Sequence, residues 1–274
     1  MIGNSGNSYS SNNSGFWIRI AIAVGIAAFT YFQYLSRSQV NPTTGEKQHV
    51  AMTVDQESAL GLQTAPQMVQ QYGGEAETGT DADRVHDMGT SLIQKTVAAK
   101  APYHFQFHLL KDQKTVNAFA LPGGQVFITR ALYDRLQTDG QLAGVLGHEV
   151  GHVIARHGAQ QLAKQNLTQG LMNSANVATN GYGIGLQQVG ALLNLKYGRN
   201  DELEADSYGV KLSSQAGYDP RAMLGVMEIL AKLSASGRQP EMLSTHPNPD
   251  HRAEKIVELI KQEFPNGPPT GLTP

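Results

Sequence analysis

The sequence predicts an α+β fold that is predominantly helical, carries a small antiparallel sheet and is preceded by one transmembrane helix. Three observations favour this prediction. An apolar run occupies residues 16–35, apolar and polar residues alternate over residues 103–109, and helical spacing dominates from residue 130 to residue 262. With 274 residues, the chain is long enough to bury a sizeable core.

The composition excludes several classes of protein. The formal net charge is -2, so no basic excess points to nucleic acid as a partner. The chain has no cysteine, which excludes a disulfide framework, a thiolate metal site and a cysteine nucleophile.

The apolar run 16–35 is predicted to be a retained single-pass anchor, because a bilayer-spanning helix needs about 20 mostly apolar residues. Aromatic residues typical of the membrane interface lie at both ends, namely Trp17, Tyr31 and Tyr34. A cleaved secretory signal and a buried soluble helix are the alternatives. Arg19 and Arg37 flank opposite ends, so charge does not predict the orientation. The Ser/Asn/Gly-rich residues 1–15 are expected to be disordered.

Local signals predict the other boundaries. Residues 36–54 are polar and typical of a linker, and short helices are expected near residues 55–71 and 81–99. Residues 264–274 are rich in proline and glycine and are expected to be a disordered tail. Residues 55–263 are therefore predicted to form one folded domain.

The sheet is predicted from three short segments. Residues 103–109 alternate with period two, TVNAFAL at 115–121 has strand character, and QVFIT at 125–129 follows a Pro-Gly-Gly turn. Because short turns join the three segments, they are expected to form an antiparallel meander.

Three helices are predicted in the second half from their end signals. Thr138 and Gln141 resemble a capping box, which would start a helix at residue 139 that runs to about residue 163. A second helix is expected from Asp201 until Gly217 ends it, and Asp219-Pro220 would start a third.

The first of these helices carries the motif His-Glu-Val-Gly-His at residues 148–152. His148 and His152 are i and i+4, so both can present a ring nitrogen to one Zn2+. Glu149 lies about 100° around the helix, beside the metal, where it can accept a proton from a metal-activated water. The alternative is a structural helix with two incidental histidines.

Zinc needs a third protein ligand, and one known pattern for it is absent here. HExxHxxGxxH would require glycine and histidine where the chain has Ala155 and Gly158. His157 comes one residue early and is expected to be structural or to lie on the surface.

A carboxylate from a later helix is the other source of a third ligand. Glu202 and Asp206 are i and i+4 and share a helix face, whereas Glu204 is expected to point elsewhere. Asp206 could then fix the tautomer of a zinc-bound histidine. An acidic helix start that complements the helix dipole remains an alternative.

These residues resemble a known family. HEVGH, followed by Glu-x-x-x-Asp in ELEAD, is similar to the membrane-associated zinc metallopeptidases (gluzincins) of the CAAX prenyl endopeptidase and the bacterial heat-shock membrane proteases. The segments NAFALPGGQVFIT, YGRNDELEAD and STHPNPDHR agree with this resemblance, which covers residues 50–262.

The resemblance implies a zincin-like metalloprotease domain with one Zn2+ per chain. It implies that Glu202 is the third ligand and that Asp206 supports the site. It also implies that Asn117 and Ala118 lie on an edge strand that pairs with substrate. His246 and Arg252 are expected to approach the site, where they could stabilise the transition state. The alternative for His246 is a turn residue that caps the last helix.

The expected function is that of a zinc-dependent endopeptidase acting on misfolded or regulatory envelope proteins. Its expected partners are protein or peptide substrates and a membrane, with the catalytic domain on the extracytoplasmic side. Prenylated substrates are not expected, because the chain has at most one predicted span whereas the prenyl endopeptidases have several. The alternative is a membrane-tethered, chaperone-like binding module with a latent metal site.

Overall fold

A computed structural model describes residues 13–179, 196–237, 239–246 and 252–274. It confirms an α+β fold that is mostly helical. The longer helices are α1 (Asn13–Ser36), α2 (Val54–Gln71), α3 (Thr80–Gln94), α5 (Asp139–Ile154), α6 (His157–Thr179), α7 (Arg199–Gln215), α8 (Ala222–Ala235) and α10 (Arg252–Glu263). Shorter helical segments are α4 (Arg130–Tyr133), α9 (Met242–Thr245) and a 3-10 turn at Val97–Lys100.

Helix α1 contains the predicted anchor. Within the described ranges, Ser14–Ser36 is the one helical segment that is long and apolar enough to cross a bilayer. Residues 13–15, which were expected to be disordered, form its first turn. The helix includes the whole apolar run and begins three residues before it. The rest of that expectation, on residues 1–12, lies outside the described residues.

The segment expected to be a linker is an ordered hairpin. Strands β1 (Ser38–Val40) and β2 (Lys47–His49) pair antiparallel. The side-chain amide of Asn41 donates to the Ile154 carbonyl (2.8 Å), and that of Gln48 donates to the Ala155 carbonyl (3.0 Å). These carbonyls lie at the C-terminal end of α5, where they have no partner within the helix. The hairpin is ordered because it caps that end.

The main sheet is mixed, so the predicted antiparallel meander is wrong. Its order is β3 (Gln106–Leu110), β5 (Gln125–Thr129), β4 (Ala118–Leu121). Strand β5 runs parallel to β3 and antiparallel to β4. Every residue of β5 is buried, whereas β3 and β4 each have partly exposed residues. The most apolar strand therefore takes the centre and leaves β4 at an edge.

Helix α5 starts as predicted but ends early. The Thr138 hydroxyl accepts a hydrogen bond from the Gln141 backbone (3.2 Å), while the Gln141 side chain accepts from Gln137 and does not complete a capping box. The helix ends at Ile154, not near residue 163, because Arg156 adopts a left-handed conformation with φ of 59°. Helix α6 then begins at His157 as a separate helix.

A buried ion pair holds this break in place. The Arg156 guanidinium pairs with Glu57 of α2 (Nε to Oε1, 2.8 Å) and donates to the Met52 carbonyl (2.8 Å). Glu57 also accepts from the Tyr103 hydroxyl (2.7 Å). Burial alone raises the pKa of Glu57, and the guanidinium only partly opposes that rise. Arg156, two residues after the end of α5, is therefore held by residues that are distant in the sequence.

The C-terminal tail is also ordered, contrary to the expectation of a disordered tail. The Thr273 carbonyl accepts from the Asp219 backbone (2.7 Å), and the Pro274 oxygen accepts from Gly140 (2.9 Å). Gly140 lies in the first turn of α5, whose N–H groups have no partner within the helix. The tail is ordered because it satisfies donors that a disordered tail would leave to water.

Helices α5 and α7 pack closely in the core. A Cβ atom added to Gly147 would lie 3.3 Å from the Cα of Gly209, and one added to Gly151 would lie 3.2 Å from the Cα of Ala205. The backbones approach this closely because the residues between them are small. As a result, the N-terminal turns of α7 face the motif His-Glu-Val-Gly-His. Helix α7 ends as predicted, with Gly217 in a left-handed conformation (φ 99°).

Candidate metal centre

Four buried side chains converge between α5, α7 and the segment after α9. His148, His152, Glu202 and His246 each offer one ligand atom, and these atoms lie within 4.8 Å of one another. The Nε2 atoms of His148 and His152 are 3.1 Å apart, as expected for i and i+4 on one helix face. The Nδ1 atom of His246 lies 3.0 Å from Glu202 Oε1.

Glu202 lies in the first turn of α7 and faces both histidines. Its carboxylate oxygens lie 3.6 Å from His148 Nε2 and 3.5 Å from His152 Nε2. Burial alone raises its pKa, but the charges and hydrogen bond of the neighbouring histidines and Arg252 outweigh burial and lower it. Glu202 is therefore held as an anion, the form in which a carboxylate binds a metal.

The polar atoms of the centre fit a cation. The donor Arg252 Nη1 has no hydrogen-bond partner here, and neither have four carboxylate and imidazole atoms that could face a cation: both Glu149 oxygens, Glu202 Oε2 and His246 Nε2. Imidazole and carboxylate together are a ligand set that zinc accepts. Buried polar atoms without partners are costly, and a metal with its water would satisfy them.

Glu149 lies beside the cluster. Its side chain is fully buried, and its Oε1 atom lies 3.7 Å from His246 Nε2. Burial raises the pKa of its carboxyl above the ordinary value. A carboxylate with a raised pKa is suited to accept a proton during catalysis.

Asp206 contacts His148 on the Nδ1 side of its ring, and Arg252 in turn contacts Asp206. Asp206 Oδ1 lies 3.0 Å from His148 Nδ1, and Arg252 donates to both Asp206 oxygens at 2.8 and 2.7 Å. Burial alone raises the pKa of Asp206, but the guanidinium outweighs it and holds that pKa well below its usual range. The predicted proximity of both residues is thus found. Arg252 also forms an ion pair with Glu202, whose Oε2 lies 3.2 Å from Arg252 Nη1 without hydrogen-bond geometry.

His157 lies beside the centre as a buried residue, which agrees with the structural alternative and not with the surface one, and Glu204 contacts it. The two Nδ1 atoms of His152 and His157 are 2.9 Å apart, and His157 Nε2 lies 3.3 Å from Glu204 Oε2. His157 is buried and does not lie on the surface. Spacing along one continuous helix could not reveal this arrangement, because the break at Arg156 redirects His157.

Tyr197 was not singled out from the sequence. Its ring stacks on His152 with centroids 3.9 Å apart and an interplanar angle of 24°. It lies two residues before α7, inside the segment YGRNDELEAD. Its nearness to Glu202 in the sequence was the one available signal.

The predicted substrate strand borders the centre. Strand β4 begins at Ala118 and pairs with β5 on one side, and within the described residues no strand covers its other side. Asn117 is buried, and its amide donates to the Tyr72 hydroxyl and to Glu241, each at 3.3 Å. A cleft of about 50 Å³ lies here, lined by Phe119, Ala120, Tyr197 and His246 among others.

The comparisons with known proteins agree with this geometry. The model of peptidase family M48 matches residues 80–260, which is most of the chain. The chain belongs to peptidase family M48. The resemblance inferred from HEVGH and ELEAD is therefore confirmed at the level of the family.

Two kinds of curated relative are similar to this M48 peptidase. The beta-barrel assembly-enhancing protease of Yersinia pestis is 30% identical over 240 residues, covering 82% of this chain and 48% of the relative. Its Escherichia coli (strain K12) counterpart is 29% identical over 263 residues, covering 89% and 53%. Mitochondrial metalloendopeptidase OMA1 of Schizosaccharomyces pombe is 27% identical over 253 residues, covering 90% and 72%. The chain spans about half the length of these bacterial relatives.

Proposed function

We propose that the chain is a zinc-dependent endopeptidase that hydrolyses peptide bonds of misfolded or regulatory envelope proteins. The observation that carries the proposal is Glu149, a buried carboxylate without a hydrogen-bond partner beside four potential ligands. A structural metal site has no use for such a carboxylate, whereas a hydrolase needs one as its base.

In this proposal His148, His152 and Glu202 hold the zinc. When bound, the metal polarises the scissile carbonyl and lowers the pKa of a water molecule. Glu149 takes the proton from the attacking water and delivers it to the leaving amine. Its raised pKa favours this role, because the protonated acid must persist until the amine departs.

The remaining side chains orient these groups. Asp206 fixes the tautomer of His148 through Nδ1, and Arg252 holds Asp206 in position. Because Arg252 is occupied in this way, we assign it to supporting the site and not to the oxyanion. Strand β4 would bind the substrate as an added strand, with the backbone from Ala118 onward supplying hydrogen bonds.

We also propose that α1 is retained as a membrane anchor, with the catalytic domain on the extracytoplasmic side. The length and apolar composition of Ser14–Ser36 support the anchor. The printed name of the bacterial relatives, beta-barrel assembly-enhancing protease, supports envelope proteins as the substrate class.

One observation favours a second candidate, a tethered binding module with a latent metal site. His246 is buried, and its Nδ1 atom lies 3.0 Å from Glu202 Oε1. It can therefore act as a fourth ligand to a metal held by the other three residues of the cluster. A site closed by four protein ligands is structural and not catalytic.

Substitution of Glu149 separates the two candidates. We expect Glu149→Gln to keep one zinc per chain and to lose nearly all casein hydrolysis, because an amide cannot accept the proton. Zinc content by atomic emission is measured beside the cleavage assay, with Glu228→Gln on α8 as an exposed control. Retained cleavage in Glu149→Gln would reject the assigned base, and no cleavage by the unmodified chain loaded with zinc would favour the binding module.

A further inference from the structure

Helix α6 packs lengthwise against the proposed anchor α1. A Cβ atom added to Gly170 would lie 2.3 Å from Thr30 Cγ2 and 2.7 Å from Thr30 Oγ1. The two helix axes therefore approach closely, with a glycine at the contact. Small residues at such contacts are characteristic of helices that pack inside a bilayer.

The contact lies inside the apolar span. Thr30 precedes the end of the span at Ser36 by six residues, which is about 9 Å along the helix. Helix α6 continues beyond Gly170 to Thr179, a further nine residues or about 14 Å. If α1 crosses a bilayer, this part of α6 lies at the depth of the hydrocarbon.

This part of α6, residues 165–179, is uncharged, although eight of its fifteen residues are polar. Four of the polar side chains take part in bonds within the helix: Thr168 donates to the Lys164 carbonyl (2.9 Å), Gln169 to Asn173 (2.9 Å) and Ser174 to the Leu171 carbonyl (2.8 Å). Such bonds satisfy polar groups where water is absent. Leu171 and Met172 are 41% and 57% exposed and form an apolar surface that no described residue covers.

We propose that residues 165–179 of α6 are embedded in the bilayer beside α1, and that this insertion holds the catalytic centre at the membrane surface. The proposal rests on the retained anchor of the proposed function. Helix α6 is not apolar enough to span a membrane alone. In this proposal α1 packs against the Gly170 side of α6 and shields that side from the lipid.

The same helix sets the distance from the membrane to the active site. The domain end of α6 lies beside the hairpin, since the Ala51 backbone donates to the Ala159 carbonyl. His157 precedes Gly170 by thirteen residues, or about 20 Å, of which about 9 Å lies within the span. His157, and His152 which it contacts, are therefore about 10 Å outside the bilayer. The substrates that fit this position are juxtamembrane segments of membrane-anchored proteins.

Cysteine labelling tests the insertion directly, because the chain has no cysteine of its own. Met172→Cys on α6 and Phe29→Cys on α1 are compared with Glu228→Cys on α8. The first two side chains are 57% and 61% exposed in the chain, so the chain itself does not shield them. The full-length protein is labelled in open membrane fragments with a charged maleimide, and total thiol is measured in SDS.

We expect Met172→Cys and Phe29→Cys to label at least about tenfold more slowly than Glu228→Cys, because the reactive thiolate does not form in hydrocarbon. Fast labelling of Met172→Cys with slow labelling of Phe29→Cys would overturn the insertion of α6 and leave the anchor intact. Fast labelling of both would reject the anchor. Casein hydrolysis by the same variants reports the metal centre separately.

The distance to the membrane is tested with tethered substrates in proteoliposomes. One peptide sequence is attached to a lipid so that its cleavable bond lies about 5 or about 30 extended residues from the headgroup, at about 3.3 Å per residue. We expect faster cleavage at the short spacing, equal cleavage of the two peptides without lipid, and none by Glu149→Gln. Equal rates at both spacings would overturn the membrane-proximal position.

Discussion

At the scale of residues, both histidines of the motif are held by carboxylates from one helix. Asp206 contacts His148 directly, and Glu204 reaches His152 through His157. Each contact lies on the Nδ1 side of the ring and leaves Nε2 for a metal. Helix α7 thus supplies the proposed ligand Glu202 and both of these supports.

Two acidic residues of α7, Glu202 and Glu204, should differ in their effect on zinc binding. We expect Glu202→Gln to weaken zinc affinity most, because it removes a ligand, and Glu204→Gln to weaken it by about 10–100-fold, because it loosens His157. Competition with a chromophoric chelator measures the affinity, and Glu228→Gln is the control. Equal affinities of the Glu202 and Glu204 variants would show that the third ligand is wrongly assigned.

The route from Glu204 through His157 has its own signature. We expect His157→Ala to lower zinc affinity about as much as Glu204→Gln, and the double variant to be no weaker than either single one. Additive losses in the double variant would mean that the two residues act separately.

His246 is expected to restrain the enzyme. It is buried, contacts Glu202 and lies close enough to ligate a metal. We therefore expect His246→Ala to raise basal peptide hydrolysis, because a competing ligand is removed. A donor to the transition state would give the opposite result, a loss of about 100- to 1000-fold. Activity within about twofold of the unmodified enzyme would return His246 to a turn residue, since neither role predicts so small a change.

At the scale of elements, the hairpin after the anchor is part of the folded domain. Asn41 and Gln48 cap the C-terminal end of α5, and the Gln39 side chain accepts from Arg156 at 3.1 Å. The end of α1 is joined to the same hairpin, because the His49 ring stacks on Tyr34 at 4.6 Å. Helix α1 and helix α5 are therefore connected by packed structure.

Two truncations test this role of the hairpin. Removal of residues 1–36 should give a folded protein that binds zinc in detergent, since the hairpin remains and the proposed membrane-facing part of α6 is still present. Removal of residues 1–50 should lower the free energy of unfolding by several kcal/mol, because each lost cap exposes a buried carbonyl at about 1–3 kcal/mol. Chemical unfolding and zinc content are measured for both. A shorter truncation that aggregates without zinc would place α1 within the catalytic domain, and equal stability of the two would refute the capping role.

At the scale of the whole molecule, contacts form a closed path between the proposed anchor and the candidate metal centre. The path runs from α1 through the hairpin to the end of α5, then along α6 and back to α1 at Gly170. Arg156 lies at its centre, bonded to Glu57, to Met52 and to the hairpin. These contacts join α1 to Arg156 and to His157, the residue that contacts His152.

The sequence by itself determined the features that depend on neighbours along the chain. These are the apolar helix α1, the start of α5 at Thr138, the end of α7 at Gly217 and the shared face of His148 and His152. Each follows from composition, capping or the helical repeat, which act over a few residues. The family resemblance rests on the same short motifs. The specific roles of the ligand and support residues remain predictions that the substitutions above test.

Only the tertiary structure decided the features that depend on partners distant in the sequence. Strand β5 takes the centre of the sheet because its side chains are buried on both faces. Helix α5 ends at Ile154 because Arg156, two residues on, takes a left-handed conformation and pairs with Glu57, which lies 99 positions earlier. That break turns His157 towards His152, and the hairpin and tail are ordered because the two ends of α5 offer them unsatisfied carbonyl and N–H groups. Local patterns carry no information on such pairings, because the free energy that selects them arises only when the chain has folded.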